Sequence, residues 1–578
     1  MSLTAALNIG RTGLTASQIG IQVAGNNMAN ASTVGYSRQT VGLAPIPGDR
    51  SLPGVSIGRG VYVTDVRRQV DAALQSRLWD ASASHRASNA QADILAQVEA
   101  SLGELGDNDL SSALSSFFST WSERANQTKS SAVVVQQGDQ LAQFMQRLRS
   151  DLVDQQRQID DQISGGVIRS NELLSTIADL NRAVAEAEVS GAIANTLRDQ
   201  RDQAISELAE LMDVTVIDQG QQGVDVLVGS TPVVLGAQNR GLQLKRETIN
   251  GKVQVSVATV QGGAELTVRS GLVGGLLTGR PEAVEKTIDT LDRLAGQLIF
   301  EVNKIHSTSF TTKRLTSTTS ERAFTAAERT LALNDPANTP MAELPFTPKH
   351  GTIEVVVRET ATGATRTIRL PVDLDGVTNA GLPGTADDTS AQDIVDGLDA
   401  ISGITATFTP DGKLKVTAQD GFDFAFTSDT SGALAALGVN AYFKGDSAAN
   451  IAVRDELVTD PTKLNTGQMV NGAYVENAGA LALASLQSQT LTGLDGRSPT
   501  SFWQDTVSAV GSQASASNST AIASGIVRES LESQRAAMSG VSIDEESVNL
   551  LNFQRQYQAS ARLITVVDEL TQTLMALV

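Results

Sequence analysis

The sequence predicts an α+β multidomain protein with terminal coiled-coil-like helices, a long helical bundle domain and inserted mainly-β domains. Three observations carry that prediction. Apolar residues recur in heptads at both ends of the chain, and long helical periodicities run through residues 141–184 and 282–306. Between them, blocks near 214–262 and 310–445 alternate apolar and polar residues between Gly-containing turns.

The N-terminal helix follows from Leu7, Leu14, Ile21 and Met28, spaced by seven, with Leu3, Gly10, Ser17 and Ala24 four residues before each. This is an a/d seam whose small positions let a partner helix approach closely. Residues 1–30 carry a single charge, Arg11, so the surface expects to be covered. At the other end Leu550, Phe553, Tyr557, Ser560, Ile564, Val567, Thr571, Leu574 and Val578 follow alternating steps of 3 and 4, widened by Leu551, Leu563, Leu570 and Leu577. Asp544, Glu545 and Glu546 suit the positive end of that helix dipole. The two ends therefore read as partner helices that bury a seam with each other or with neighbouring subunits. The plain alternative is an ordinary intramolecular helical pair.

Between the ends, Leu110, Leu114, Phe117 and Trp121 mark one helix face, with Asp107 or Asn108 as its cap. Leu141, Phe144, Leu148, Leu152, Ile159 and Ile163, then Leu173, Ile177, Leu180 and Val184 beyond Gly165-Gly166, predict a helical hairpin or bundle core. VTVIDQG, VDVLVG, TPVVLG and VQVSVATV predict short strands, with a turn at Asn250-Gly251. Helix returns over Glu282–His306. TIEVVVRE and TRTIRLPV then flank the Ala361–Ala364 turn as a hairpin, SAQDIVDGLDAI is a short helix capped by Ser390, and KLKVTA follows the Pro410-Asp411-Gly412 turn. The resulting division is a terminal helical polymerisation domain (1–50 and 535–578), an elongated helical domain (51–309 and 446–534) with a small β section near 214–262, and an inserted mainly-β surface domain (310–445).

Composition excludes more than it proposes. The 578 residues include 44 Lys and Arg against 64 Asp and Glu, a net charge of −20, and no Cys. Disulfides, thiolate metal sites and cysteine nucleophiles are out. His85, His306 and His350 are too scattered for a His-rich metal site. An acidic chain without clustered Lys and Arg is a poor partner for nucleic acid. Apolar runs such as Ala478–Ala484 are well short of the roughly 18 residues of a membrane span. The first twenty residues do not read as a cleavable secretory signal, so an exported chain would need another route. With 14 Phe, 5 Tyr and 3 Trp the core rests mainly on Leu, Val, Ile and Ala.

Few residues nominate chemistry. Asp373, Asp375, Asp387 and Asp388 in the loop DLDGVTNAGLPGTADD offer carboxylates, but the spacing is irregular and lacks the EF-hand's bidentate Glu, so a solvated turn is the better reading. In RDQRDQ (198–203), Arg198 and Asp202 at i, i+4 read as an exposed ion pair. No phosphate loop, nucleophile elbow or dinucleotide fingerprint is present, so the chain reads as non-enzymatic, with no catalytic, cofactor-binding or metal residues and no cofactor.

The run GLTASQIGIQVAGNNMANASTVGYSRQ (13–39) resembles the N-terminal signature of the bacterial flagellar axial proteins, the family of rod, hook and hook-associated subunits. Asn26, Asn27, Ala29, Asn30, Thr33, Gly35 and Tyr36 match; Met28 stands where Ile is usual and Val34 where Pro or Ala is common. The Asn side chains suit capping of backbone groups, and Gly35 a reversal of the chain. Tyr36-Ser37-Arg38-Gln39, LSSALSSFFSTWSERANQ (110–127), NTLRDQRDQAISELAELMDVTV (195–216), ALAALGVNAYFKGDSAANIAV (433–453) and residues 540–574 are similar to the hook-associated branch. The inserted region at about 310–430 carries the least resemblance.

The resemblance implies a structural component of the flagellum, extracellular, at the junction between hook and filament. It implies export through the flagellar type III channel, self-assembly into a ring, contact with hook subunits and a second junction protein or the filament, and a cytoplasmic export chaperone on the C-terminal helix. Nucleic acid and membrane are not among the expected partners. Leu7, Leu14, Ile21 and Met28, with Leu550, Phe553, Tyr557, Ile564, Val567 and Leu574, are the expected subunit-packing residues. The alternatives are another hook- or rod-type axial subunit, or a surface adhesive or hydrolytic role for the inserted domain.

Overall fold

The computed structural model describes residues 3–48, 58–103, 109–189, 191–220, 223–249 and 251–576. The fold is α+β, and the chain divides into two compact units, residues 1–94, 158–280 and 515–578 in one and residues 95–157 and 281–514 in the other.

The first unit contains both terminal helices, Leu3–Ala29 and Ile543–Ala576. After the N-terminal helix the chain turns into an antiparallel pair, Gln39–Pro45 against Val61–Arg68, with a bulge between Gly42 and Leu43. The helix Asn195–Leu211 follows, then a four-stranded antiparallel sheet over 214–239 and a three-stranded one over 242–266. Val226, Val228, Val233, Val234 and Val257 are fully buried within them, and Val224–Val228 shows the alternation its sequence predicts. Ile249 pairs with Lys252, and Gly251 takes a φ of +78° in the predicted hairpin turn; Asn250 lies outside the described residues.

Of the two readings the sequence left for residues 141–184, hairpin or bundle core, the hairpin fails. Gly165-Gly166 does not turn a hairpin, because the helix Ser131–Glu188 runs straight through it. A Cβ on Gly166 would come within 2.7 Å of Val273 Cγ2, in the helix Gly271–Gly279, so this glycine admits a close neighbour rather than a reversal.

In the second unit the helix Leu110–Ala125 is capped by Asp109, whose carboxylate accepts the Ser112 N–H at 2.6 Å. The expected caps, Asp107 and Asn108, lie outside the described residues. Phe117, Phe118 and Trp121 are buried, and Trp121 meets Tyr442 edge-on at 5.3 Å. Helix resumes through a π-turn at Arg280–Glu285 that leads into Lys286–Ser307. Two three-stranded antiparallel sheets then form. Gly351–Glu359 is central between Thr365–Val372 and Phe422–Asp429, and Lys413–Ala418 is central between Ser317–Ala323 and Ile404–Phe408. The helix Ala391–Asp399 starts in a capping box of Ser390 and Asp393, as its sequence predicts. Its Ile394 and Leu398 share a core with Ile353, Val355, Leu414 and Phe424.

Candidate assembly site: the joint of the terminal helices

The terminal helices pack antiparallel. Gly10 lies against Ile564, Gly13 against Ser560, Gly20 against Phe553 and Asn27 against Glu546, so position rises along one helix as it falls along the other. The face that makes closest approach is Gly10, Gly13, Ser17, Gly20, Ala24 and Asn27, in alternating steps of 3 and 4. A Cβ on Gly20 would stand 2.5 Å from Phe553 Cδ1, and one on Gly10 would stand 2.7 Å from Ile564 Cγ1. Small residues on one helix thus receive large ones from the other.

The large residues expected to form the seam flank it. Leu14, Ile21 and Met28 are half-buried, and Leu7 is 38% exposed. On the C-terminal helix Val567 is buried, and Leu550, Phe553 and Ile564 are half-buried. Tyr557 and Leu574 are exposed, together with Leu551, Leu563, Val566 and Leu570. Leu577 and Val578 lie outside the described residues.

At the end of the N-terminal helix the motif residues build a polar joint. Asn30 donates from Nδ2 to the Asn26 carbonyl at 2.9 Å and closes the last turn, beside Ala29. Gly35 takes a φ of +80°, which sends the chain back along the helix. That reversal delivers Tyr36, Arg38 and Gln39 to Asn27. Its Nδ2 donates to the Gln39 carbonyl and to Glu546 Oε2, both at 2.9 Å. Its Oδ1 accepts the Gln39 N–H at 3.0 Å and the Tyr36 hydroxyl at 2.8 Å. Two donors and two acceptors saturate the amide. Glu546, with only 3% of its side chain exposed, is completed by Arg38, which donates from Nε at 2.9 Å and approaches to 2.7 Å through its second nitrogen. Burial, then the charges of Asp199 and Glu546, push the Tyr36 phenol up to about 12, so it stays a neutral donor to Asn27 and accepts from Asn26 Nδ2 at 3.2 Å.

A second layer holds the loop from outside. Arg68 donates from one nitrogen to Asp199 at 2.9 Å and to Asp202 at 2.8 Å, and the Ser37 N–H reaches Asp199 at 3.4 Å. Burial pushes the Asp199 carboxyl up even against Arg68. The RDQRDQ segment is therefore not an exposed Arg198–Asp202 pair. Arg198 bonds Glu188 at 2.7 Å, and Asp199 and Asp202 share Arg68 from the strand next to the motif loop. Sequence reading missed Arg68, Arg38 and Glu546 as functional groups. Glu546 was legible as a helix-start acid, but Asn27 and Arg38, which it holds across the joint, lie more than 500 positions away.

Elsewhere, among the described residues, exposed His350, Asp373 and Asp375 bring one ligand atom each within 4.8 Å of one another. No described helix is long and apolar enough to cross a membrane.

The family models that match the two ends of the chain are both those of structural subunits of the flagellar axis. Residues 7–36 match the family of flagella basal body rod proteins, and residues 532–577 match the C-terminal family of the flagellar basal body rod FlgEFG proteins. Residues 95–318 match the flagellar hook-associated protein FlgK helical domain. Flagellar hook-associated protein 1 of Escherichia coli is 27% identical across 99% of this chain and 100% of its own length. That of Bacillus subtilis is 26% identical across 98% of this chain and 96% of its own. The flagellar hook junction protein FlgK from Burkholderia pseudomallei aligns with 80% of this chain and 100% of its own, at 15% identity and a TM-score of 0.49. Over nearly its whole length the chain is similar to flagellar hook-associated protein 1, and it is a structural component of the bacterial flagellum.

Proposed function

We propose that the chain joins hook to filament as one subunit of a ring, assembled through its terminal helices. The observation that carries this reading is the antiparallel pair itself: the small-residue seam is consumed within the chain, while Leu551, Leu563, Leu570 and Leu574 stay exposed along one helix. Burying each such side chain contributes ~1.5–3 kcal/mol, and a surrounding tube of subunits supplies the cover. Leu7, Leu14, Ile21 and Met28, with Leu550, Phe553, Tyr557, Ile564, Val567 and Leu574, pack in that tube. Residues 1–50 and 535–578 serve as the polymerisation domain, and 310–445 as a surface domain.

The partners are other copies of this chain, hook subunits, and a second junction protein or the filament. The chain leaves the cell unfolded through the flagellar type III channel, for which the absence of Cys is suited. A cytoplasmic chaperone covers its C-terminal helix beforehand, and the protein catalyses no reaction. In a strain lacking the chain, filament subunits are expected in the medium with no filament retained; retained filaments overturn the proposal. Leu563→Asp with Leu570→Asp, on the exposed face, should keep the monomer's circular dichroism yet fail to restore filaments.

A further inference from the structure

The hairpin of Leu242–Ile249 and Lys252–Thr259 is held firmly at its root and left bare beyond it. At the root Asn171, in the long helix Ser131–Glu188, accepts the Leu242 N–H at 2.7 Å and donates to the Leu242 carbonyl at 2.9 Å. The third strand, Glu265–Leu266, pairs only with Val257 and Ala258. From Lys245 to Ser256 the two strands therefore pair only with each other among the described residues, and both outer edges are open. Side chains alternate, so Arg246, Thr248 and Val253 face one way and Lys245, Glu247, Ile249 and Lys252 the other; all seven are exposed. A two-stranded hairpin bare on both faces is marginal by itself, and this one carries Ile249 and Val253 into water.

Its charge is the reverse of the chain's. Between Val226 and Ala264 the charged residues are Arg240, Lys245, Arg246, Glu247 and Lys252, four cations to one anion, in a sequence where acids outnumber bases 64 to 44. The one anion, Glu247, is taken by Lys245 at 2.8 Å. Charges on open edges discourage chance pairing of strands, but acids would serve that purpose equally. Cations gathered on one bare hairpin of an acidic chain suit an acidic partner.

We infer that this hairpin is a basic arm that docks on an acidic surface of a neighbouring copy of the same chain. The inference rests on the junction reading, which sets copies side by side, and names one contact within it. A second copy brings a net charge of −20, so its surface attracts the arm. The contact runs from arm to acidic surface and not from arm to arm, because two arms would set like charges against each other. Such a head-to-tail contact repeats from copy to copy and closes a ring. Charge steers the encounter and fixes which surfaces meet, while Ile249 and Val253 add apolar burial.

The test is photocrosslinking in flagella whose only copy of the chain carries Val253→Cys. The sequence has no other Cys, so benzophenone maleimide labels the chain at position 253 alone. Irradiation should join two copies, and mass spectrometry should place the label in a peptide rich in Asp and Glu outside residues 226–264. Adding Lys245→Glu, Arg246→Glu and Lys252→Glu should cut the adduct, per copy incorporated, at least about ten-fold. Gln at the same three positions should give an intermediate loss, and circular dichroism of the purified chain should be unchanged in both sets. Flagella that contain the chain but give no adduct between copies, or an adduct with another flagellar protein only, overturn the inference and leave the junction reading standing. An adduct that the three charge reversals leave undiminished overturns it as well. Flagella that lack the chain altogether would overturn the junction reading, and the arm contact with it.

Discussion

Asn27, near the end of the N-terminal helix, donates a 2.9 Å hydrogen bond to Glu546, in the first turn of the C-terminal helix, and the two residues are 1% and 3% exposed. The amide has no spare donor or acceptor, and the carboxylate is shared with Arg38. A seam of small apolar residues permits sliding by a turn, whereas a buried polar joint of this kind has one register.

Asn27→Asp should therefore be worse than Asn27→Ala. Alanine removes four bonds and leaves Glu546 with Arg38, a loss of about 1–3 kcal/mol. Aspartate turns a donor into an anion beside a buried carboxylate, at a cost of about 3 kcal/mol or more. Urea unfolding followed by circular dichroism measures both. Adding Glu546→Gln to Asn27→Asp restores a donor–acceptor pair and should recover most of the loss; no recovery would show that the contact is incidental.

Two glycines of the same helix should respond oppositely to alanine. At Gly25 an added Cβ meets nothing within 4 Å, so Gly25→Ala gains helix propensity, about 1 kcal/mol. At Gly20 it meets the Phe553 ring at 2.5–2.6 Å, and Gly20→Ala should lose about 1–3 kcal/mol as the helices separate. Phe553→Leu should relieve part of the Gly20→Ala defect. Equal melting temperatures for the two glycine variants would sink the packing argument.

Periodicity made the terminal helices, the 351–372 hairpin and the Ser390 cap legible, because each rests on local spacing. The side of the N-terminal helix that makes closest approach was less so. Leu7 and Leu14 outrank Gly13 and Gly20 on any hydrophobic pattern, yet a glycine against Phe553 brings the helix axes closer than two large residues allow. The strands Gln39–Pro45 and Val61–Arg68 went unread, since Gly42 and Pro45 weaken the first and charged residues interrupt the second. The polar joint could be seen only as a motif. Its meaning depends on Arg38, Arg68, Asp199 and Glu546, brought together by the fold from distant parts of the chain.

Acidification should loosen the second unit through His306. Burial, reinforced by the charge of Arg454, lowers this imidazole to about 4, against the hydrogen bond between Nδ1 and the Asn440 carbonyl that favours the charged form. The folded state holds it neutral, whereas the unfolded chain takes up a proton near pH 6.5. Stability is thus intact above about pH 6.5, falls as pH drops toward 4, and levels off below, a total on the order of 3 kcal/mol. Urea midpoints between pH 7.5 and 4 should fall more steeply for the native sequence than for His306→Gln. Parallel slopes would remove His306 from the account.

Arg68 offers the converse pH test, in the unit that holds the joint. It is the cation shared by Asp199 and Asp202, and Arg68→Ala leaves those carboxylates facing each other under the motif loop, a loss of about 3–5 kcal/mol at pH 7. Burial already holds the Asp199 carboxyl above its usual range, and removing the guanidinium raises it further. An acid whose folded pKa lies above its unfolded value binds its proton first in the folded state, so the variant regains stability as pH falls through that range. The difference from the native sequence should therefore shrink between pH 7 and pH 4, measured by thermal unfolding in matched ionic strength. Arg68→Lys keeps the charge but not the planar, multi-donor guanidinium geometry, and should fall between the two. A difference constant across the whole range would mean that Arg68 acts by packing its stem, not by holding the two carboxylates.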